Sequence, residues 1–320
     1  MNSSPASLVA SAPNRIVNGM GLMLIAMLIA PFIDIFSKLA TDTTSPTFIT
    51  AARFVFQALC MLPIVLWNGY WRTFSWRLSV FHAIRATLIT VSMVCFVATL
   101  AVMEVADAIA IFFVEPIILT VLSSIFLKET IGWRRYTACA AGFVGAMIVI
   151  RPSFQEIGFV ALLPIVTAFC VAIFAILTRA LAHREDPWSM QFQMALWGIP
   201  ISAILLFVGD RTGIAFLTPS MPDWTTLLWL AGVGAFAALS GILAVYAYRA
   251  APASVIAPLQ YFEIVSATLF GWLVFGDFPD PVKWLGISII IGSGLYIIWR
   301  ERRVASMKPV TSAAKSTVTP

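Results

Sequence analysis

Charge is scarce in this sequence: Lys, Arg, Asp and Glu make up 11% of its 320 residues, where a soluble domain carries roughly a quarter. With 60% of the chain hydrophobic, no globular core could hide the apolar surface, and a bilayer has to act as the solvent. Histidine is nearly missing, with only His82 and His183. No HExxH pair of the metalloprotease kind is present, and no Ser–His pairing suggests itself, which argues against an intramembrane enzyme. The chain also lacks a GxxxxGK[ST] loop, so any uphill work draws on a gradient and not on ATP. The four cysteines, Cys60, Cys95, Cys139 and Cys170, fall in four separate apolar runs without CxxC spacing. They read as free thiols, with neither a disulfide framework nor a metal site. No polar stretch between the apolar runs is long enough for a soluble domain. No catalytic residue and no cofactor is expected.

What is present is a series of apolar runs long enough to cross a ~30 Å hydrocarbon core. They lie at 19–40, 46–67, 79–102, 107–127, 133–150, 157–180, 188–208, 224–248, 253–275 and 282–299. Turn and charge clusters such as KETIGWRR, HREDP and GDFPDP separate them. The expected fold is an all-α polytopic membrane protein of ten transmembrane helices. Residues 1–18, rich in Ser, Ala and Pro, read as a disordered lead. Residues 19–151 and 152–300 form two five-helix halves, and 301–320 a polar tail. The first run is too long for a signal-peptide core and is expected to remain as a span.

The net charge of +5 sits in short loops and at the C-terminus, not on one amphipathic face, so it reads as a topology signal and not a nucleic-acid surface. Fourteen Lys and Arg fall on the side holding both termini and the even-numbered connections. Only Lys38, Arg151, Arg211 and Lys283 fall on the other. The positive-inside rule then puts both termini in the cytoplasm.

The two halves resemble each other. Residues 105–129 (VADAIAIFFVEPIILTVLSSIFLKE) align without gaps onto 253–277 (ASVIAPLQYFEIVSATLFGWLVFGD), an offset of 148. Glu115 falls on Glu263, and Glu129 on Asp277. The SP pair at 45–46 falls near the DP pair at 186–187. Five spans per half is an odd number, so the second half enters the membrane upside down. Secondary transporters use this inverted repeat, with the binding site at the repeat interface near mid-membrane.

Together the stretches TFITAARFVFQALCMLP, VADAIAIFFVEPIILTVLSSIFLKETIGWRRYTACAAGFVGAMIVIRP, APASVIAPLQYFEIVSATLFGWLVFGD and LGISIIIGSGLYII resemble bacterial members of the drug/metabolite transporter superfamily of EamA type. The resemblance spans about 290 residues. It implies ten helices in two inverted five-helix repeats, a central substrate cavity and no ATPase. It also implies a cargo such as an amino acid, purine, vitamin (riboflavin among them), polyamine or drug. The first span departs from the commoner apolar pattern of the family by carrying PFIDIFSKLA, with Asp34 and Lys38.

An ionised side chain at the centre of a spanning helix costs roughly 2.5–3.5 kcal/mol on insertion scales, so such residues are expected to face the bundle interior with partners. Arg53 lies seven residues after Pro46, about 10 Å below the outer surface at 1.5 Å per residue. Thr50, Arg53, Gln57 and Cys60 form one polar stripe at helical spacing. Asp34 sits at a similar depth, with Lys38 one turn further out. The two form either a local i, i+4 pair, or part of a gate with Arg53. Arg53 otherwise holds a cargo carboxylate or phosphate. Glu115 precedes Pro116, whose missing N–H frees a carbonyl in the fourth span. In the ninth, Gln260, Glu263 and Ser266 share a stripe beside Pro258 and Tyr261. The candidate substrate-binding or coupling residues are therefore Asp34, Arg53, Gln57, Glu115, Gln260, Tyr261 and Glu263. Arg85, near the cytoplasmic end of the third span, is expected to snorkel. Small residues at 138, 141, 142 and 145 and at 288 and 292 predict close helix packing, within a monomer or in a homodimer.

The expected function is gradient-driven carriage of a small polar or aromatic metabolite, amino-acid-like or a vitamin such as riboflavin, across a bacterial inner membrane. The expected partners are that cargo, the lipid bilayer and protons. The alternative is a channel or assembly subunit without carrier activity.

Overall fold

The computed structural model describes residues 11–40, 43–70, 74–100, 111–129, 131–150, 162–214, 217–219, 221–275 and 281–306. Its helices are α1 (Ser11–Ala40), α2 (Pro46–Trp67), α3 (Trp76–Leu100), α4 (Glu115–Phe126), α5 (Trp133–Ile150) and α6 (Leu162–Leu181). They continue as α7 (Pro187–Thr212), α8 (Trp224–Ala250), α9 (Ala253–Gln260), α10 (Phe262–Phe275) and α11 (Pro281–Ser306). Among the described residues, eight spans are both long and apolar enough to cross a membrane, with α9 and α10 counted together. The described part of α4 is shorter, and α5 opens on Trp133, Arg134 and Arg135. With these two the bundle has the expected ten spans. α1 opens at Ser11 and takes in the end of the segment expected as a lead.

Local chemistry places the helix starts. Ser45 and Asp186 each stand before a proline at the first helical position, where the missing N–H costs nothing. Their side chains accept from the backbone N–H groups of Phe48 and Trp188, at 3.3 and 2.9 Å. Asp223 does the same for Thr226 at 3.1 Å. The SP and DP pairs that align in the sequence are thus equivalent N-caps. α7 ends on Gly213, in the left-handed conformation at φ 71° that closes helices with little strain only at glycine.

Packing shows the two-fold relation between the halves. α1 lies along α8 as α3 lies along α6. α2 meets α8 as α7 meets α3, and α4 meets α6 as the α9–α10 span meets α1. The pairs α2–α7, α4–α9 and α5–α11 join an element to its own counterpart. Exchanging the halves maps each of these pairs onto another or onto itself. Leu59, Leu66, Ile125, Phe126, Ile204, Phe207, Leu273 and Leu295 are exposed on the outside, as a lipid-facing surface requires.

The small residues of α5 do pack against α11, but through a different face of α11 than the one expected. A Cβ on Gly286 would lie 2.7 Å from the Gly145 carbonyl oxygen, and one on Gly145 would lie 2.9 Å from that of Gly286. Backbones therefore touch at Gly145 and Gly286. Ser288 is exposed and Gly292 has open space beside it. α11 carries small residues on two faces, and only its angle to α5 decides between them.

The end of the bundle that holds both described chain ends also gathers the arginines. His183, between α6 and α7, sits there with its pKa held below the usual histidine value. Burial is the larger cause, followed by the charges of Arg179, Arg249 and Arg15.

Candidate functional site

Two helix breaks meet at the centre of the bundle. In the fourth span the chain turns at 113–114 before α4 starts at Glu115. In the ninth, Tyr261 interrupts the run between α9 and α10. Phe113 and Tyr261 are equivalent under the 148-residue offset. The Tyr261 hydroxyl donates to the Phe113 carbonyl at 3.1 Å, and the two rings lie 5.9 Å apart. The broken turn explains the free carbonyl: the Ile117 N–H bonds to Val114 instead, and Pro116 has no N–H to offer. Tyr261 is fully buried and fits because residue 142 is glycine. A Cβ there would lie 2.5 Å from the ring.

The two breaks set two carboxylates. Glu115 and Glu263 each fall in the first turn of the helix that follows the break, where the backbone N–H groups favour negative charge. Glu115 is buried and takes a hydrogen bond from Gln260 across the repeat interface. Glu263 lies within electrostatic reach of both Glu115 and Asp34. Asp34 in turn faces Arg53 on α2. A connected line of charge thus runs from α4 through α10 and α1 to α2.

Asp34 is surrounded by protein yet keeps an exposed surface, while Glu263, Gln260 and Arg53 are half-buried. Side chains deep in a bundle that stay accessible line an internal space. Around it several polar atoms have no hydrogen-bond partner within the protein: Nε of Arg53, both amide atoms of Gln57, and one oxygen each of Glu115 and Gln260. Buried polar groups are paired in more than nine cases in ten, so this cluster calls for a polar ligand or ordered water.

The structure brings five of the seven sequence candidates, Asp34, Arg53, Glu115, Gln260 and Glu263, together at this space, and buries a sixth, Gln57, one turn beyond Arg53 on α2. The seventh, Tyr261, acts behind it by locking the two breaks together. Asp34 faces Arg53 and Glu263, and Lys38 remains exposed one turn away. Ser266, read as part of the polar stripe, instead donates to the Met27 carbonyl of α1 at 2.7 Å. Pro31 stands four residues on, so that carbonyl has no helical donor. Ser266 thereby fixes α10 to α1 and helps set the Asp34–Glu263 approach.

Arg85 corrects an expectation. It does not snorkel but is completely buried. Its guanidinium donates to Thr178 Oγ1 at 3.2 Å, to His82 Nδ1 at 3.1 Å and to the Met190 carbonyl at 3.4 Å, and it lies 4.9 Å over the Phe174 ring. His82 accepts at Nδ1, so its Nε2 carries the proton and donates to Glu185 at 3.0 Å. Gln193 adds a bond to Glu185 at 3.1 Å. Sequence reasoning placed Arg85 near an interface by counting from the span end. It had no means of seeing Glu185, 100 residues on, folded back over it.

A family model described as the EamA-like transporter family matches residues 17–151 and 158–299. Among proteins similar in sequence is a riboflavin transporter of Rhizobium johnstonii, 29% identical over 92% of this chain and 95% of that protein. A riboflavin transporter of Vibrio cholerae is 27% identical over 81% and 87%. An S-adenosylmethionine uptake transporter of Rickettsia bellii is 26% identical over 91% and 96%. One crystal structure superposes with a TM-score of 0.75 at 16% identity, covering 89% of this chain and 98% of that one. At that identity it speaks for the fold.

Proposed function

The chain belongs to the EamA-like transporter family and moves a small metabolite across a membrane, and from that premise we propose a zwitterionic, amino-acid-like cargo with a cationic centre. Its carboxylate is held by Arg53 and its positive group by Asp34 and Glu263. One observation carries this reading. Among the described residues, three carboxylates stand in line, Glu115 beside Glu263 and Glu263 beside Asp34, with one guanidinium, Arg53, against Asp34, and both broken-helix starts, where an anionic cargo would otherwise dock, already hold glutamates. The excess negative charge is balanced by a cationic cargo, by protons, or by both in turn. Of the cargoes named for relatives, S-adenosylmethionine has a cationic centre beside an amino-acid group, whereas riboflavin is uncharged. Riboflavin is the second reading, favoured by the relatives at 29% and 27% identity.

Counterflow in proteoliposomes tests the reading. Preloaded S-adenosylmethionine or a basic amino acid is expected to accelerate entry of the labelled compound, and excess riboflavin is expected not to compete. Competition by riboflavin alone would transfer the assignment to the second reading. Absence of trans-stimulation by any of them would favour a pore.

The protein works by alternating access in a bacterial inner membrane, with protons as the coupling ion and both termini in the cytoplasm. The orientation rests on the fourteen-to-four split of basic residues. A periplasm-active reporter fused after Arg303 is expected to be silent, and one inserted within 210–222 to be active. An active C-terminal fusion would reverse the topology.

A further inference from the structure

We propose that Glu129 is the gating clasp of the basic end of the bundle: it holds α9 against α4, and its release opens the central space to that side. Glu129 follows α4 directly. One of its oxygens accepts the Ala253 N–H at 3.0 Å, and the other accepts the N–H and hydroxyl of Ser254 at 3.0 and 2.8 Å. Arg179 at the end of α6 lies 3.6 Å from the first oxygen and also donates to the Tyr248 carbonyl of α8. Arg135 of α5 donates to the same Ser254 hydroxyl at 3.0 Å. The carboxylate thus joins three spans, α4, α9 and α6, and its partners Arg179 and Ser254 extend the network to α8 and α5, so that both halves are tied.

The clasp has a specific lever. α9 is eight residues long, and Ala253 through Leu259 are all buried. Its far end carries Gln260, bonded to Glu115 at the start of α4. α9 is therefore fastened to α4 twice, once at the central space and once at Glu129, and it fills the way between the two. A cargo or proton that takes Glu115 away from Gln260 leaves Glu129 as the remaining fastening. The inverted copy is weaker by sequence: Ala106 stands where Ser254 stands, without a hydroxyl, and Asp277 stands for Glu129. Both positions lie outside the described residues.

The inference rests on the transport reading and orientation proposed above, and thiol labelling tests it without any cargo. Ala257→Cys places a thiol on the buried face of α9, in a protein whose four native cysteines are replaced by serine or alanine. A membrane-impermeant maleimide is applied to inverted vesicles and to intact cells. The parent is expected to label slowly from both sides. Ser254→Ala leaves both backbone bonds to Glu129 in place but removes the hydroxyl's bonds with Glu129 and Arg135, and is expected to raise labelling from the cytoplasmic face by at least about fivefold, the scale of one ordinary hydrogen bond. Glu129→Gln is expected to raise it further, with labelling from the outside unchanged. Melting in detergent monitors folding, and if Glu129→Gln does not accumulate, Ser254→Ala decides alone. Unchanged labelling, or an equal rise from both faces, would overturn the clasp. Labelling as expected in a protein that shows no counterflow would keep the clasp and refute the proposed cargo.

Discussion

Glu263→Gln is expected to abolish pH-gradient-driven accumulation while leaving cargo-for-cargo exchange intact. Glu263 is half-buried on the central space and interacts with Asp34 on one side and Glu115 on the other. Charges held in a membrane interior are costly unless paired, and Arg53 can balance only one of these three carboxylates. A carboxylate that alternates between a proton and the cargo's cationic group would make the two exclusive, and exclusivity couples their fluxes. Glutamine keeps the shape and removes the titrating oxygen. In reconstituted vesicles under an imposed pH gradient, the accumulation ratio is expected to fall to about one. Counterflow at fixed pH and saturating cargo is expected to stay near the parent rate, because Asp34 still holds the cationic group, with the apparent affinity weakened. Undiminished accumulation would remove Glu263 as the coupling residue and leave Asp34 as the next carboxylate to replace.

Arg53→Lys tests the opposite pole of the site. Lysine keeps the charge but loses the planar fork that grips a carboxylate with two parallel bonds. A charge-assisted hydrogen bond contributes about 1.5–3 kcal/mol, so loss of one is expected to weaken apparent affinity by about ten- to hundred-fold. Maximal exchange is expected to change less, because Asp34 still has a cation opposite it. An unchanged affinity at parent expression would reduce Arg53 to a generic positive charge.

The sequence showed both poles of this site because intramembrane charges are few. Arg53 and Arg85 are the two basic residues left over when the others are assigned to one side of the membrane or the other, and each needed a reason to be there. The same scarcity exposed Asp34, Glu115 and Glu263. The repeat added that Glu115 and Glu263 are counterparts, since an offset of 148 aligns them without a gap.

Pairings were not legible in the same way. Arg85 counts as interfacial by distance along its helix, yet the chain folds His82, Thr178 and Glu185 around it. For Asp34 the sequence left two partners open, Lys38 one turn away or Arg53 on the next span, and it gave no sign of Glu263; the structure sets Asp34 against Arg53 and Glu263. The sequence by itself determined what the bilayer enforces residue by residue: ten spans, and the inward-turned charges Asp34, Arg53, Glu115 and Glu263. Only the tertiary structure decided partners, because the rotation and crossing of one helix against another depend on side-chain packing at contacts such as Gly145 with Gly286 and Gly142 with Tyr261. The Tyr261–Phe113 lock and the Glu129 clasp join residues 148 and 124 positions apart, and helix periodicity carries no information over that separation.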